Sequence, residues 1–348
     1  MGWDIVAVLV IIAAFIFLLT NGLHDASSVV ATIIACGAAT PVQAILLAAG
    51  AGLLGALLGG RAVANTIVNL IDLPPDHLLL LVLLAAFLAA VGWNLVTWQF
   101  GLPSSSTHAL VGGLIGSLWV AAGADHVVWG ISDLVSSTHQ ISGVVKVIIS
   151  LLISPVIGFA AAVLLQKTME FLLRNANFAV NLWLKRSQWV IAALLAFSHG
   201  SNDTQKILGL VSLVLIAVKW VGLSQIPLWS QFIGGSVMFA GTMFGGWSII
   251  KTLGRKIYPL RPIHSFNSLV SSGGSLFIAN LLGAPISTTH LVAGSIIGVG
   301  AADEYRMVNW EIGKEMVLAW CITMPASAAM AALLFVILSQ LANRVITG

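Results

Sequence analysis

Two aspartates stand in stretches that otherwise offer them little but hydrocarbon. Asp25 lies in NGLHDA (Asn21–Ala26) and Asp203 in HGSNDT (His199–Thr204), and apolar runs flank both. A carboxylate at the centre of a bilayer costs about 2.5–3.5 kcal/mol unless it gains a partner, a cation or a proton. Asn21, Gly22 and His24 precede the first Asp, and His199, Gly200 and Asn202 precede the second. Such polar clusters are expected to unwind a helix and expose backbone carbonyls, which suit Na⁺ or a protonated species. Asp25, Asp203, Asn21 and His24 are therefore candidates for holding a cation or proton. An Asp that merely caps a half-helix is the plainer reading, and it explains one copy better than two at corresponding places.

A second motif also occurs twice. GLPSSSTHALVGGLIG (Gly101–Gly116) and GAPISTTHLVAGSIIG (Gly283–Gly298) share Gly, Pro, Ser, Thr, His, Gly, Ile and Gly in register. Gly-x-Pro ends one element, and Pro suits the first turn of the next. Ser105, Ser106, Thr107, Ser287, Thr288 and Thr289 then fall in a first helical turn, where free N–H groups and the positive dipole end favour an anion. Hydroxyls add donors without adding charge, so an oxyanion can be held and still released. Ser and Thr are also routine N-caps and packing residues. That suffices for one copy, whereas two copies favour an anion site shared by both segments.

His108 and His290 close the motif and are candidates for moving a proton or orienting the hydroxyls; a buried packing role is the alternative. Gln205 and Lys206 follow Asp203 where the first half has only small residues. They are accessory candidates, and Lys206 could pair with Asp203, contact the anion or snorkel.

The elements that must hold these residues follow from composition. Of 348 residues, 59% are hydrophobic and 8% charged, against about 25% charged in a soluble domain. Lipid accepts such a surface and water does not. The 34 glycines allow close helix approach where no hydrophobic force drives association. The net charge of +3 sits in short loops, so it speaks to topology and not to nucleic acid. Cys36 and Cys321 are isolated in apolar runs and imply no disulfide framework. Trp3–Thr20 reads as a retained span, and tryptophans near segment ends fit an interfacial belt. No Walker loop, zinc motif or nucleophile–His–acid set accompanies the polar sites, so neither an enzyme nor ATP-driven transport is expected.

About ten apolar runs, among them Trp189–Val221, fit membrane segments; two are short for a full crossing and are candidates for re-entrant hairpins. The most polar connection carries Lys167, Arg174, Lys185 and Arg186, and a loop two crossings later carries Lys251, Arg255, Lys256 and Arg261. The positive-inside rule makes both cytoplasmic, which puts the N-terminus outside and gives the two halves opposite orientations. The fold expected is an all-α polytopic membrane protein of two inverted-topology repeats, each of about five segments with broken helices and helical hairpins. The repeats span 1–166 and 188–348, and residues 167–187 form a cytoplasmic linker with an interfacial helix as one option. Paired interruptions in inverted halves are the sequence pattern of secondary transporters.

At these residues the chain resembles the inorganic phosphate transporter (PiT) family, and within it the bacterial low-affinity members. NGLHDASSVVAT and AFSHGSNDTQKILGLV look like its paired signatures, GLPSSSTH and GAPISTTH like its paired hairpins, and FAGTMFGGWSIIKTLG is similar to a further segment. The resemblance covers most of the chain. It implies a homodimer in the cell (inner) membrane whose inverted repeats bind one phosphate midway and move it with a cation. Ser105, Ser106, Thr107, Ser287, Thr288 and Thr289 would hold phosphate. Asp25 and Asp203, with Asn202, would hold the coupling ion and close the phosphate site. No cofactor is implied. His24 replaces the Asn of the common Asn-Asp pair, and Ser28 stands where the family often has Asn. The coupling ion, H⁺ or Na⁺ at Asp25 and Asp203, therefore stays open, as does free phosphate against a metal complex.

The function expected is cation-coupled phosphate symport by alternating access. Symport of another oxyanion such as sulfate is one alternative, and a passive anion channel is another. Hydrogen phosphate can donate a proton to Asp25 or Asp203, whereas sulfate cannot, so the two carboxylates favour phosphate.

Overall fold

The computed structural model describes residues 2–136, 141–220 and 226–347; Val221, the end of one expected run, lies outside them. The described residues form α1 (Gly2–Ala35), α2 (Pro41–Leu58), α3 (Ala62–Val68), α4 (His77–Phe100), α5 (Ser106–Ala122), α6 (Ile131–Val135) and α7 (Gly143–Leu173). They continue through α8 (Val180–Ala217), α9 (Leu228–Phe244), α10 (Trp247–Lys251), α11 (Pro262–Leu281), α12 (Thr288–Glu304) and α13 (Trp310–Thr347). Among the described residues the only β pairing is an isolated bridge between Ile71 and Val127.

Each of the ten apolar runs is occupied by helix. α1, α2, α4, α7 and α13 are long and apolar enough to cross a membrane. The pair Leu228–Phe244 and Trp247–Lys256, bent by 60°, makes a sixth candidate. The bend sits at Gly245, whose φ of 62° an L side chain would resist. α5 and α12 have 17 residues each, about 26 Å at 1.5 Å per residue, and fall short of the hydrocarbon core. α8 carries Asp203 and Lys206 of the second polar cluster, and α11 carries Asn280 near its end. The chain is thus an all-helical, multi-pass membrane protein.

Local sequence explains where the helices stop. Thr40 and Gln43 form a reciprocal capping box at the start of α2, with Pro41 in the first turn. Asp76 accepts hydrogen bonds from the Leu78 and Leu79 N–H groups and so starts α4. α4 ends on Gly101 in the left-handed conformation (φ 65°). Gly283 (φ 62°) turns the chain after α11 in the same way. Of the expected linker, only 174–179 is non-helical, because α7 and α8 extend into it from either side.

One expectation is overturned. Neither Asp-containing segment unwinds: α1 runs unbroken through Asn21–Asp25 and α8 through His199–Asp203. The glycines there are packing positions, not breaks. A Cβ on Gly22 would lie 2.5 Å from the Met238 carbonyl oxygen of α9, and one on Gly200 would lie 2.1 Å from that of Gly52 in α2. The backbone keeps its helical bonds because the polar side chains find partners sideways. The chain departs from regular helix instead at the hairpin turns, where 102–105 and 283–287 join α4 to α5 and α11 to α12.

Packing exchanges elements between the halves. α1 packs on α9 and α8 on α2, while α5 packs on α13 and α12 on α7. Two apolar clusters result. One joins Ala14, Phe17 and Leu18 of α1 to Phe87, Leu110 and Leu210. The other joins Val29, Val30 and Ile33 of α1 to Leu195, Leu269 and Leu291. Between them, at mid-helix, lie Thr20–Ser28 of α1 and Ser198–Lys206 of α8, a polar layer closed off from both ends.

Candidate functional site

Asp25 occupies the centre of that layer. Its Oδ2 accepts a hydrogen bond from Ser106 Oγ at 2.7 Å, and its Oδ1 accepts one from Thr289 Oγ1 at 2.8 Å. Ser106 opens α5 and Thr289 lies in the first turn of α12, so one carboxylate joins both hairpin motifs. His24 Nδ1 stands 3.0 Å from Oδ1. The far ring nitrogen of His24 faces the Thr97 and Ser104 hydroxyls, each at 3.3 Å. With Nδ1–H donating to Asp25, Nε2 accepts from a hydroxyl, and that hydrogen bond fixes the ring.

Asp203 is held by different chemistry. Lys206 Nζ donates to its Oδ1 at 2.8 Å, and Asn21 Nδ2 donates to its Oδ2 at 3.1 Å. His199 Nδ1 lies 3.3 Å from Oδ2 and 3.2 Å from Thr288 Oγ1. Lys206 also donates to Thr107 Oγ1 at 2.7 Å and to the Ile286 carbonyl at 3.3 Å. Asn21 thus reaches across to the second aspartate although it neighbours the first in sequence.

The six motif hydroxyls divide by task. Ser105 Oγ accepts the His108 N–H and Ser287 Oγ the His290 N–H, which makes both serines N-caps. An oxygen that accepts an N–H keeps its own O–H to donate. Ser106, Thr107, Thr288 and Thr289 point into the polar layer, toward Asp25, Lys206, His199 and Asp25 respectively. The first-turn N–H groups of α5 and α12 have no carbonyl one turn back. Two helix starts therefore bring donors to one small volume.

Other candidates lie elsewhere. His108 and His290 turn toward each other, with ring centroids 4.7 Å apart, and His290 stacks on Trp320 at 4.0 Å. Neither ring hydrogen-bonds to a carboxylate or a motif hydroxyl; they border a cavity of about 220 Å³ with Leu151, Pro155 and Cys321. Trp320 Nε1 donates to the Pro103 carbonyl at 2.9 Å, fastening α13 to the first hairpin. Asn202 bonds to Asn280 Oδ1 and to the Ala284 carbonyl, tying α8 to the second hairpin. Gln205 accepts the Val63 N–H and donates to Ser201, a bracing role for α3. The buried acceptors Asn21 Oδ1 and Asn202 Oδ1 have no hydrogen-bond donor among the described residues. Sequence reasoning passed over Thr97, Ser104 and Asn280. Thr97 and Asn280 are polar residues near the ends of apolar helices, and Ser104 lies in the hairpin turn; a polar residue in so apolar a setting is the signal that would have found them.

Outside the layer, Asp303 closes the loop between α10 and α11. It accepts from Tyr258 Oη at 2.5 Å and Arg261 at 2.6 Å, and lies 3.2 Å from His264 Nε2. Partial burial would raise its pKa, but the Tyr258 hydrogen bond and the adjacent His264 and Arg261 outweigh burial and hold it below the usual value.

Comparison with known proteins places the chain in a family. Over residues 21–185 and 175–331 the chain matches the sequence profile described as "Phosphate transporter family". A Bacillus subtilis (strain 168) protein named "Probable low-affinity inorganic phosphate transporter" is 36% identical over 342 residues, 97% of this chain and 98% of that one. A Rhizobium meliloti (strain 1021) protein of the same name is 38% identical over 328 residues, 93% and 94% of the respective chains. A solved structure described as "The sodium-dependent phosphate transporter" superposes with a TM-score of 0.84 at 27% identity, over 96% of this chain and 99% of its own. These relatives are named as transporters, which are not enzymes. With two paired motifs, an all-helical membrane fold and matches along nearly its whole length, this chain belongs to the phosphate transporter family.

Proposed function

We propose that the chain carries inorganic phosphate across the cell (inner) membrane together with a cation, by alternating access of one site between two inverted repeats, 1–166 and 188–348. The convergence of Ser106 and Thr289 on Asp25 supports this reading most. Hydroxyls from two helix starts that meet at one carboxylate are close enough to share one tetrahedral oxyanion. Phosphate would take the Ser106, Thr107, Thr288 and Thr289 hydroxyls and first-turn N–H groups, with the free O–H of Ser105 and Ser287 behind them. Hydrogen phosphate would donate its own proton to Asp25, a contact sulfate cannot make. Asp25 and Asp203 would hold the coupling charge, and Asn21, His24 and Asn202 would shape the site around it. Cation coupling draws support from the relative whose description calls it sodium-dependent. The basic loops would face the cytoplasm and the N-terminus the outside, and the transporter would work as a homodimer.

Purified protein in liposomes tests this. Labelled phosphate should accumulate under an imposed pH or Na⁺ gradient, and sulfate should compete weakly. Uptake indifferent to both gradients would mark a passive channel. Transport of sulfate in place of phosphate would transfer the site to another oxyanion.

A further inference from the structure

The second aspartate already has a cation, and that cation is part of the chain. Lys206 is 2% exposed and is among the largest fully buried side chains. Its ammonium lies within 2.7–3.3 Å of three oxygens of different kinds: the Thr107 hydroxyl, the Asp203 carboxylate and the Ile286 carbonyl. Carboxylate, hydroxyl and backbone carbonyl oxygens converging in a membrane site form the ligand set of a small monovalent cation. Lysine has three N–H donors, and each finds one of these oxygens. Thr107 comes from the first hairpin, Ile286 from the second and Asp203 from α8, so the ammonium ties all three together.

The first half lacks this arrangement. Ser28 holds the corresponding place, three residues after Asp25, and its hydroxyl donates to Asp25's own backbone carbonyl at 2.6 Å. No Lys or Arg side chain pairs with Asp25 among the described ion pairs; His24 is its charged-capable neighbour. We propose that Lys206 is a tethered counter-cation that fills, at the Asp203 end, the place of a freely exchanging coupling cation, leaving Asp25 as the carboxylate that is loaded and unloaded in each cycle. The proposal rests on the symport reading above and deepens it. Each phosphate then travels with one positive charge fewer than in a carrier that takes up free cations at both aspartates.

The test counts Na⁺. Phosphate binding to purified protein is measured across a Na⁺ series at constant ionic strength with choline as the replacement ion. The slope of log affinity against log Na⁺ concentration gives the number of Na⁺ ions bound with phosphate. Lys206→Ser, which copies the residue at position 28, should raise that slope by one over the native chain. Its melting temperature should also rise with Na⁺ more steeply than the native protein's. Lys206→Arg keeps a fixed charge and should keep the native slope. Lys206→Gln, which retains most of the side-chain length, should gain one Na⁺ as Ser does and serves where the Ser variant aggregates. A native slope in a monodisperse Ser or Gln variant that still binds phosphate, in the Na⁺ series and in a parallel pH series alike, overturns the tethered-cation assignment alone. No phosphate binding by the native protein would instead overturn the function proposed above.

Discussion

Asp25 and Asp203 sit at matching places on α1 and α8, yet their charges are balanced by opposite means. Around Asp25 the partners are hydroxyls and a histidine: Ser106, Thr289 and His24. Around Asp203 they are an ammonium, an amide and a histidine: Lys206, Asn21 and His199. By motif register, Thr107 corresponds to Thr289 and Thr288 to Ser106. If the halves matched in full, both would reach Asp203 directly. Instead Lys206 stands between Thr107 and Asp203, and His199 stands near Thr288. Corresponding motifs thus surround one carboxylate with hydroxyls and a histidine and pair the other with an ammonium. Two copies of a sequence motif can divide labour in this way by changing a few side chains, because each motif supplies geometry and its neighbours supply charge.

The sharpest way to break this comparison is to neutralise each aspartate in turn. Asp25→Asn should reduce gradient-driven phosphate uptake to the level of protein-free liposomes while the melting temperature in detergent stays near native. Asp203→Asn should also stop uptake, but it leaves the Lys206 ammonium buried and unpaired, a loss of about 3–5 kcal/mol. Its melting temperature should fall clearly, and Asp203→Asn combined with Lys206→Met should recover part of that loss. Equal melting behaviour of the two single variants would erase the distinction.

A smaller effect is expected at the hydroxyls. A hydrogen bond to a charged group contributes about 1.5–3 kcal/mol, so Ser106→Ala and Thr289→Ala should each weaken phosphate affinity by about tenfold or more. Thr289→Ser should restore most of it, whereas an N-cap variant such as Ser105→Ala should act chiefly on stability, by about 1 kcal/mol. Calorimetric titration with phosphate, run beside thermal melts, separates the two outcomes.

The mildest prediction concerns Asp303, whose counterpart in the first half is Ala121. Its pKa is lowered in the folded protein, so its contribution is complete above the unfolded carboxylate range and is lost as pH falls through the folded value. Asp303→Asn should therefore change stability slightly at neutral pH, by no more than about 1 kcal/mol, because its Arg261 partner is exposed and screened by solvent. Below the carboxylate range the variant and the native protein should converge. A difference that persists at low pH would show that the Tyr258 hydroxyl bond acts without the charge.

Sequence alone settled what recurs in sequence. Composition required lipid, the ten apolar runs located the longer helices, and Gly-x-Pro followed by Ser and Thr located the two helix starts. All of these depend on neighbours within a turn or two, where spacing and chemistry are read directly from the chain. Tertiary structure decided the rest. It showed that α1 and α8 stay helical through their Asn, Gly and His residues, because Gly22 and Gly200 face the backbones of α9 and α2, which lie far off in sequence. It turned His108 and His290 toward each other and Trp320, and gave Asn21 to Asp203. It also distinguished the two aspartates. Lys206 is three residues from Asp203 in the chain, but its meaning depends on Thr107 and Ile286, 99 and 80 residues away. Charge compensation in a buried layer is a property of everything within a few ångströms of a group, and sequence spacing does not carry that distance.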